Sequence, residues 1–432
     1  MAQIRSGWLT ILPSGRWYLQ GLKKYRLAGL IKRERLLARI GPDLLKKPVY
    51  ISAPPTEPNR FRTKVYWALS NDHLTIGPIV GILTVGEGNA FKGNRENFKD
   101  IILTGKSLGA LVYVFSPSGI DWDKKRIKAY LYNEQEDNWV ESVMPFPHVV
   151  YNRIPTRKSE TKSEVKQTLD QLSSLTNVTL FNRHFFNKHT LFQILEKRHE
   201  VTDFLPDTKV LSTFAQFRSF AMDHPFVYLK PTLGKAGKGI MRLDRHLQRW
   251  RLRRVSDQEA ITQYFVKLDQ VWKSIRQQTK TNRYILQQGI QLAKYKNRPF
   301  DVRVLIQKDG SGEWGITGVG IRRAGAKSIT THVPRGGSIL PTSKVLTALF
   351  QERAEEIYRR VEETALTIAH VLNDEIEDLA EMSMDLGLTP EGKLYFFEAN
   401  AKPEKFDEPA IRNSSLANLI YYSQYVSAFG CG

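Results

Sequence analysis

The chain has 432 residues, 41% hydrophobic and 11% aromatic, which excludes a disordered polymer and provides for about two or three domains. Its net charge of +20 points to an anionic partner: a nucleotide, an acidic polymer, nucleic acid or an anionic surface. No apolar run approaches the ~20 residues of a membrane helix, the N-terminus lacks the apolar stretch of a secretory leader, and the one cysteine, Cys431, excludes an intrachain disulfide, so a reducing, cytoplasmic setting fits.

Residues 1–75 read as a small, separate, basic, β-rich unit. Short apolar pieces such as Trp8–Leu12, Trp17–Leu19 and Val49–Ile51 are punctuated by Pro13-Ser14-Gly15 and Pro54-Pro55. Between them, Leu22, Tyr25, Leu30, Leu36 and Leu37 are spaced for one helical face in a strongly basic stretch. A solvated face and a patch for an acidic polymer or membrane surface both fit that stretch. Residues 76–158 change character. Ile79–Val85 and Ala110–Phe115 are nearly continuous apolar runs, as in buried parallel strands. Asn94–Ser107 is partly helical in pattern and Val149–Tyr151 is a third strand. Together these predict a small open α/β domain. Arg157–Lys166 is polar, a linker or the start of a helix.

The remainder, 159–432, carries the chemistry. Asn187-Lys188-His189 opens a helical stretch. Phe226–Leu243 reads as a strand, a glycine-rich loop and a returning strand. Gly234, Gly237 and Gly239 let the backbone turn tightly, and successive N–H groups in such a loop can cradle phosphate oxygens. Lys230, Lys235 and Lys238 add positive charge there. The spacing matches neither a Walker loop nor a dinucleotide fingerprint, so a phosphate site and a basic surface hairpin both remain open. Arg242–Arg254, with six arginines, reads mainly as solvated surface.

Tyr284–Gln288 is a strand ending in two amides, Gln287 and Gln288. In Phe300–Ile306 the alternation puts Asp301 and Arg303 on one face. Trp314–Ile321 is a further strand, followed by Arg322, Arg323 and a loop containing Arg335. Ser343–Asn373 is the longest helical pattern and predicts one core-packing helix. Met382–Leu388 and Leu394–Asn400 read as strands joined by the turn Thr389–Gly392. Glu398 and Asn400 share a face, and antiparallel pairing brings Asp385 to it. Two carboxylates and an amide oxygen are hard ligands suited to Mg²⁺ held against phosphates. A buried ion pair with Arg303 or Lys402 is the plainer reading of the same acids.

In this order, Lys188, YLKPTLGKAGKGI, LQQGIQL, FDVRVLI, RRAGAKSITTHVPRGG, MDLGL and FEANAKP resemble the ATP-grasp superfamily over residues 160–430. Within it the chain is similar to the YheC/YheD family of spore-forming bacteria, which is described as spore-coat associated. The core is also similar to ribosomal-protein glutamate ligases and glutathione synthetases. The resemblance implies an α/β (α+β) ATP-grasp fold. Residues 76–158 take the place of the Rossmann-like pre-ATP-grasp domain, and two α+β subdomains grip ATP, the lid spanning about 205–288.

The resemblance also implies roles. Lys188, Lys230 and the Gly234–Gly239 loop (Gly234, Lys235, Gly237, Lys238, Gly239) would hold the phosphates. Gln287, Gln288 and Ile290 would line the adenine pocket. Asp301 and Arg303 would face the phosphates or the acceptor, and Arg322 and Arg335 would stabilise the transferred phosphoryl group. Asp385, Glu398 and Asn400 would hold one or two Mg²⁺ (or Mn²⁺) ions. The activity implied is an ATP-dependent carboxylate–amine ligation, with an unidentified carboxylate and amine, for which an acidic peptide or polymer suits the basic surface. A coat assembly protein that binds ATP without ligating is the other reading. The chain departs from related ligases after Asn400, where Ala401-Lys402-Pro403-Glu404-Lys405 replaces a small residue, Pro and Gly. The acid expected to bind ribose after Gln288 is also missing, Gln291 and Lys294 standing in its neighbourhood.

Overall fold

The computed structural model describes residues 3–21, 35–42, 45–70, 73–88, 90–232, 239–255, 260–279, 283–325 and 337–429. Four larger sheets follow one another along the chain. The first is a closed barrel of six strands, in the order Arg5–Ile11, Trp17–Gln20, Leu45–Tyr50, Arg35–Ile40, His73–Gly77, Phe61–Ser70. Trp17, Leu19, Val49, Val65 and Trp67 fill it. The helical face expected here is overturned at Leu36 and Leu37. Both lie in a strand, where the period is two, so Leu36 is buried and Leu37 is 45% exposed. Leu22, Tyr25 and Leu30 lie outside the described residues. Residues 1–77 hold 14 Lys and Arg against 4 Asp and Glu, which is half of the net charge in under a fifth of the chain.

The barrel core is continuous with that of the second sheet. There Ile79–Leu83, Leu111–Asp121, Val149–Asn152 and Thr179–Phe181 are parallel, flanked by the antiparallel strands Arg126–Asn133 and Asn138–Pro145. The sheet therefore takes a strand from beyond residue 158. Helix Arg95–Leu108 makes the first crossover, capped by the Asn94 side chain, which accepts from Asn97 N at 3.1 Å.

The third sheet is antiparallel, in the order Thr208–Val210, Tyr284–Gln288, Phe226–Pro231, Met241–His246, Arg249–Val255, Ala260–Phe265. Helices Phe214–Asp223 and Leu268–Gln278 cover one face around Phe217, Leu243 and Ile275, a core of its own. We call it the lid sheet. The fourth, central sheet runs Ser338–Leu340, Trp314–Arg323, Arg298–Lys308, Glu381–Leu388, Leu394–Asn400, again antiparallel. Its inner face packs on Val361, Ala365 and Ile368 of helix Ala354–Glu375. The single helix expected over 343–373 is two, Thr342–Phe350 and Ala354–Glu375, broken at Gln351, whose φ is 50°.

One buried side chain ties the second sheet to the central one. Asn182 donates from Nδ2 to the carbonyls of Glu381 (2.9 Å) and Ala401, and its Oδ1 accepts from Ala380 N at 3.1 Å. Tyr151 adds a bond from its hydroxyl to Glu381 Oε1 at 2.6 Å.

Candidate active site

The alternation of strands sets the site. Glu381–Leu388 pairs Asp385 with Arg303 on one side and with Glu398 on the other, and Asn400 follows two residues along. Asp301 is in register with Arg322. Asp301, Arg303, Arg322, Asp385 and Glu398 are thus brought to the outer face of the central sheet.

Arg322 is almost fully buried between two carboxylates. Its Nε and Nη2 each lie 3.1 Å from Asp301, and Nη2 lies 2.5 Å from Asp385 Oδ2. Burial opposes its charge, but the two acids raise its pKa above the ordinary value. Asp385 is pushed the other way for a carboxylate: burial, with help from Asp301 and Glu398, raises its pKa despite Arg322 and Arg303. Its Oδ1 is buried with no hydrogen-bond partner. Lys188 opens helix Lys188–Leu195, and its ammonium is ion-paired to Glu398. Asn187 caps that helix by accepting from His189 N at 2.9 Å, which fixes where Lys188 starts. The partners of the two acids are therefore Arg322 and Lys188, with Arg303 at 3.8 Å from Asp385. Lys402 pairs elsewhere.

Across from this face stands the lid sheet. Lys230 donates to Gln287 Oε1 at 2.5 Å, and its Nζ lies 5.3 Å from the Phe397 ring centre. Burial, and then Lys188, lowers its pKa to about 8. Gln287 is held in turn by Thr208, and Gln288 accepts from Asp207 N at 3.1 Å. Gly289 lets the chain leave the strand against Phe226: a Cβ there would lie 2.1 Å from that ring. Between the two sheets is a cavity of about 380 Å³. Lys188, Lys230, Gln287, Gln288, Ile290, Asp301, Asp385 and Glu398 all line it. Gly239, at φ +78°, accepts from the Tyr284 hydroxyl at 3.1 Å. Gly234, Lys235, Gly237, Lys238 and Arg335 lie outside the described residues.

Two groups of residues were missed by sequence reasoning. Arg242 and Arg253 line this cavity rather than open solvent. With Arg251 they converge on the buried Asp244, at 2.8–3.2 Å. Alternation was the signal: positions 242, 244, 251 and 253 share one face of a hairpin. Arg303, Arg322 and Asn400 do not line that cavity; with Glu398, which lines both, they line a second one, of about 700 Å³, together with Arg153, Arg157 and Lys402. No sequence signal marked Arg153 or Arg157, and Lys402 was singled out only as a partner for the acids of the central sheet and as part of the departure after Asn400.

A divalent cation fits the residues present. Among the described residues no three His, Cys, Asp or Glu side chains converge. The carboxylates of Asp385 and Glu398 lie in register on neighbouring strands, Asn400 follows two residues beyond Glu398, and Asp385 Oδ1 has no donor, a set of hard oxygen atoms of the kind Mg²⁺ takes.

The model of the "YheC/D like ATP-grasp" family matches residues 177–426, more than half of the chain. The chain belongs to this family. It is 30% identical over 384 residues to the endospore coat-associated protein YheD of Bacillus subtilis (strain 168), a match covering 86% of this chain and 83% of YheD. It is 22% identical to YheC of the same organism, over 67% of this chain and 79% of YheC. Among solved structures it is similar to the D-alanyl-alanine synthetase A of Vibrio cholerae O1 biovar eltor str. N16961, with TM-score 0.48, 13% identity, and coverage of 82% of this chain and 98% of that one. No described helix of this ATP-grasp chain is long and apolar enough to cross a membrane.

Proposed function

We propose that the chain is an ATP- and Mg²⁺-dependent carboxylate–amine ligase acting through an acyl phosphate. The observation that carries this is Glu398: with the other acids and Lys188 it stands where the nucleotide-sized cavity meets a second, larger one. In this reading, residues 1–75 are an accessory basic unit, 76–158 the pre-ATP-grasp domain and 159–432 the ATP-grasp domain. Gln287, Gln288 and Ile290 line the adenine end.

A carboxylate is a poor electrophile, and phosphorylation changes that. A substrate carboxylate oxygen attacks the γ-phosphorus, the bond from phosphorus to the β–γ bridging oxygen breaks, and ADP leaves. An amine nitrogen then attacks the acyl carbon, the carbon–oxygen bond to phosphate breaks, and the amine proton passes to the departing phosphate or to water. The protein positions and neutralises rather than forming bonds. Lys188 and Lys230 hold phosphate oxygens, and Arg303 and Arg322, with Arg335, balance charge on the transferred group. Asp385, Glu398 and Asn400 would hold Mg²⁺, which supplies charge neutralisation at the β- and γ-phosphates. The relatives' names support placing the reaction in spore coat formation. The test is release of ADP and phosphate by the purified chain with MgATP and a panel of amino acids and peptides. MgATP binding without release from any of them would leave an ATP-binding coat assembly protein, and absence of MgATP binding would sink both.

Lys230 gives this reading a pH signature. Its pKa in the fold, about 8, is below the lysine value of 10.5. The burial cost of the ammonium is therefore present below pH 8 and disappears as pH rises toward 10.5. Phosphate binding needs the charged form. MgATP affinity should weaken above pH 8 by up to about tenfold per pH unit, with proton uptake on binding. Calorimetry in buffers of different ionisation heat measures both, and Lys230→Met should bind weakly and without this slope. A flat wild-type profile from pH 7 to 9 would remove Lys230 from the phosphate site.

A further inference from the structure

The second cavity lies between the α/β sheet and the outer face of the central sheet, and Glu398 lines it as well as the nucleotide cavity. Its wall on the α/β side is cationic and aromatic. Arg157 begins a short helix capped by Thr156, whose Oγ1 accepts from Ser159 N at 3.0 Å. The guanidinium lies 5.2 Å from the centre of the Phe185 ring and donates from Nη2 to the Phe186 carbonyl at 2.9 Å. Lys402 approaches the same ring, with Nζ 4.4 Å from its centre.

The two cations differ in what balances them. Lys402 is paired with Glu160, Nζ to Oε1 at 2.5 Å. Arg157 forms no direct ion pair with a described residue, Glu398 and Glu160 acting on its charge only from further off, and its Nε is buried without a hydrogen-bond partner. Lys405, exposed at the rim, also has no ion pair among the described residues. A half-buried charge and an unused donor are costly unless something else supplies the partner. The planar guanidinium fork matches a carboxylate, and stacking on Phe185 fixes its plane. The space is within the range of small-molecule sites. Asp407 and Glu408, which also line the cavity, disfavour a dianionic phosphate there and suit the ammonium of an amino acid.

Resting on the ligase reading, we propose that Arg157 binds a carboxylate other than the reacting one, so that this cavity selects an acidic, dicarboxylate substrate. Its bond to Phe186 alone would make it a loop anchor, and the test separates the two. The full chain, saturated with MgADP, is titrated with L-glutamate and L-aspartate, and with L-glutamine and L-asparagine as neutral counterparts. At least one acid should bind about tenfold or more tighter than its amide. Arg157→Gln should abolish that preference while MgATP affinity stays within about twofold. Arg157→Lys, which keeps the charge without the fork, should retain part of it and decides the matter if the Gln variant does not fold. Equal binding of acids and amides, binding of none of the four, or an undiminished preference in the variants overturns the subsite while leaving the nucleotide site standing. A wild type that fails to bind MgATP overturns the ligase reading and the subsite together.

Discussion

Replacing Glu398 by Gln is expected to weaken MgATP binding by about 100-fold, about 2.8 kcal/mol at 1.4 kcal/mol per tenfold. The substitution keeps the shape and removes the charge. Two effects then combine. A hard cation loses one of two carboxylates facing each other across the strand pair. Lys188, which is 15% exposed and paired to Glu398, loses its counter-ion and turns to the phosphates instead. That second effect opposes the first and favours nucleotide alone, so with Mg²⁺ chelated the variant should bind ATP at least as tightly as wild type. Calorimetry with MgATP and with ATP plus chelator reads both arms. Equal MgATP affinity in the two proteins would show that Glu398 is a structural ion-pair partner and no metal ligand.

The second large effect is on stability. Arg322→Met should cost about 3–5 kcal/mol, the range for breaking a buried ion pair by removing one partner. Asp301 and Asp385 are 4% and 3% exposed, and Arg322 is the cation bonded to both. Without it two carboxylates face each other in a site that already raises the pKa of Asp385. The sign of the pH effect follows. In the variant the Asp385 carboxyl, already raised by burial, loses its main counter-charge, so the deficit is largest at neutral pH and shrinks as falling pH protonates it. Urea midpoints at pH 7.5 and 5.5 measure this, and Asp301→Asn in the Arg322→Met background should recover part of the loss. A deficit that is independent of pH would mean that lost packing, and not charge, explains it.

How much of this was legible in sequence depended on periodicity. The strands bearing Asp301, Asp385, Glu398 and Asn400 alternate cleanly, so their shared face could be read from spacing two. The helix start at Lys188 was legible from the helical pattern that follows it, whereas its place in the site came only from the resemblance. The arginines at 242, 251 and 253 were misread because arginine also occupies the alternate positions 245 and 254. When both faces of a strand are basic, composition does not say which one is covered. Gln351, a non-glycine residue at positive φ, gave no warning that a long apolar helical stripe was two helices. Arg157, Phe185 and Lys402 come together from three loop or element-end positions. Loops have no repeat to extrapolate, so their meeting is fixed only by the packing of two sheets.

The lid sheet keeps its core to itself: none of the side chains around Phe217, Leu243 and Ile275 belongs to the clusters of the other sheets. The α/β and central sheets, by contrast, are riveted through Asn182, Tyr151 and Glu381. Mechanically the molecule is a vice with one bolted jaw. Widening the gap that holds Lys230 opposite Glu398 breaks no buried apolar cluster, whereas widening the gap beside Arg157 must tear buried hydrogen bonds. The seat for the nucleotide is thereby the adjustable one, and the neighbouring seat keeps a fixed gauge.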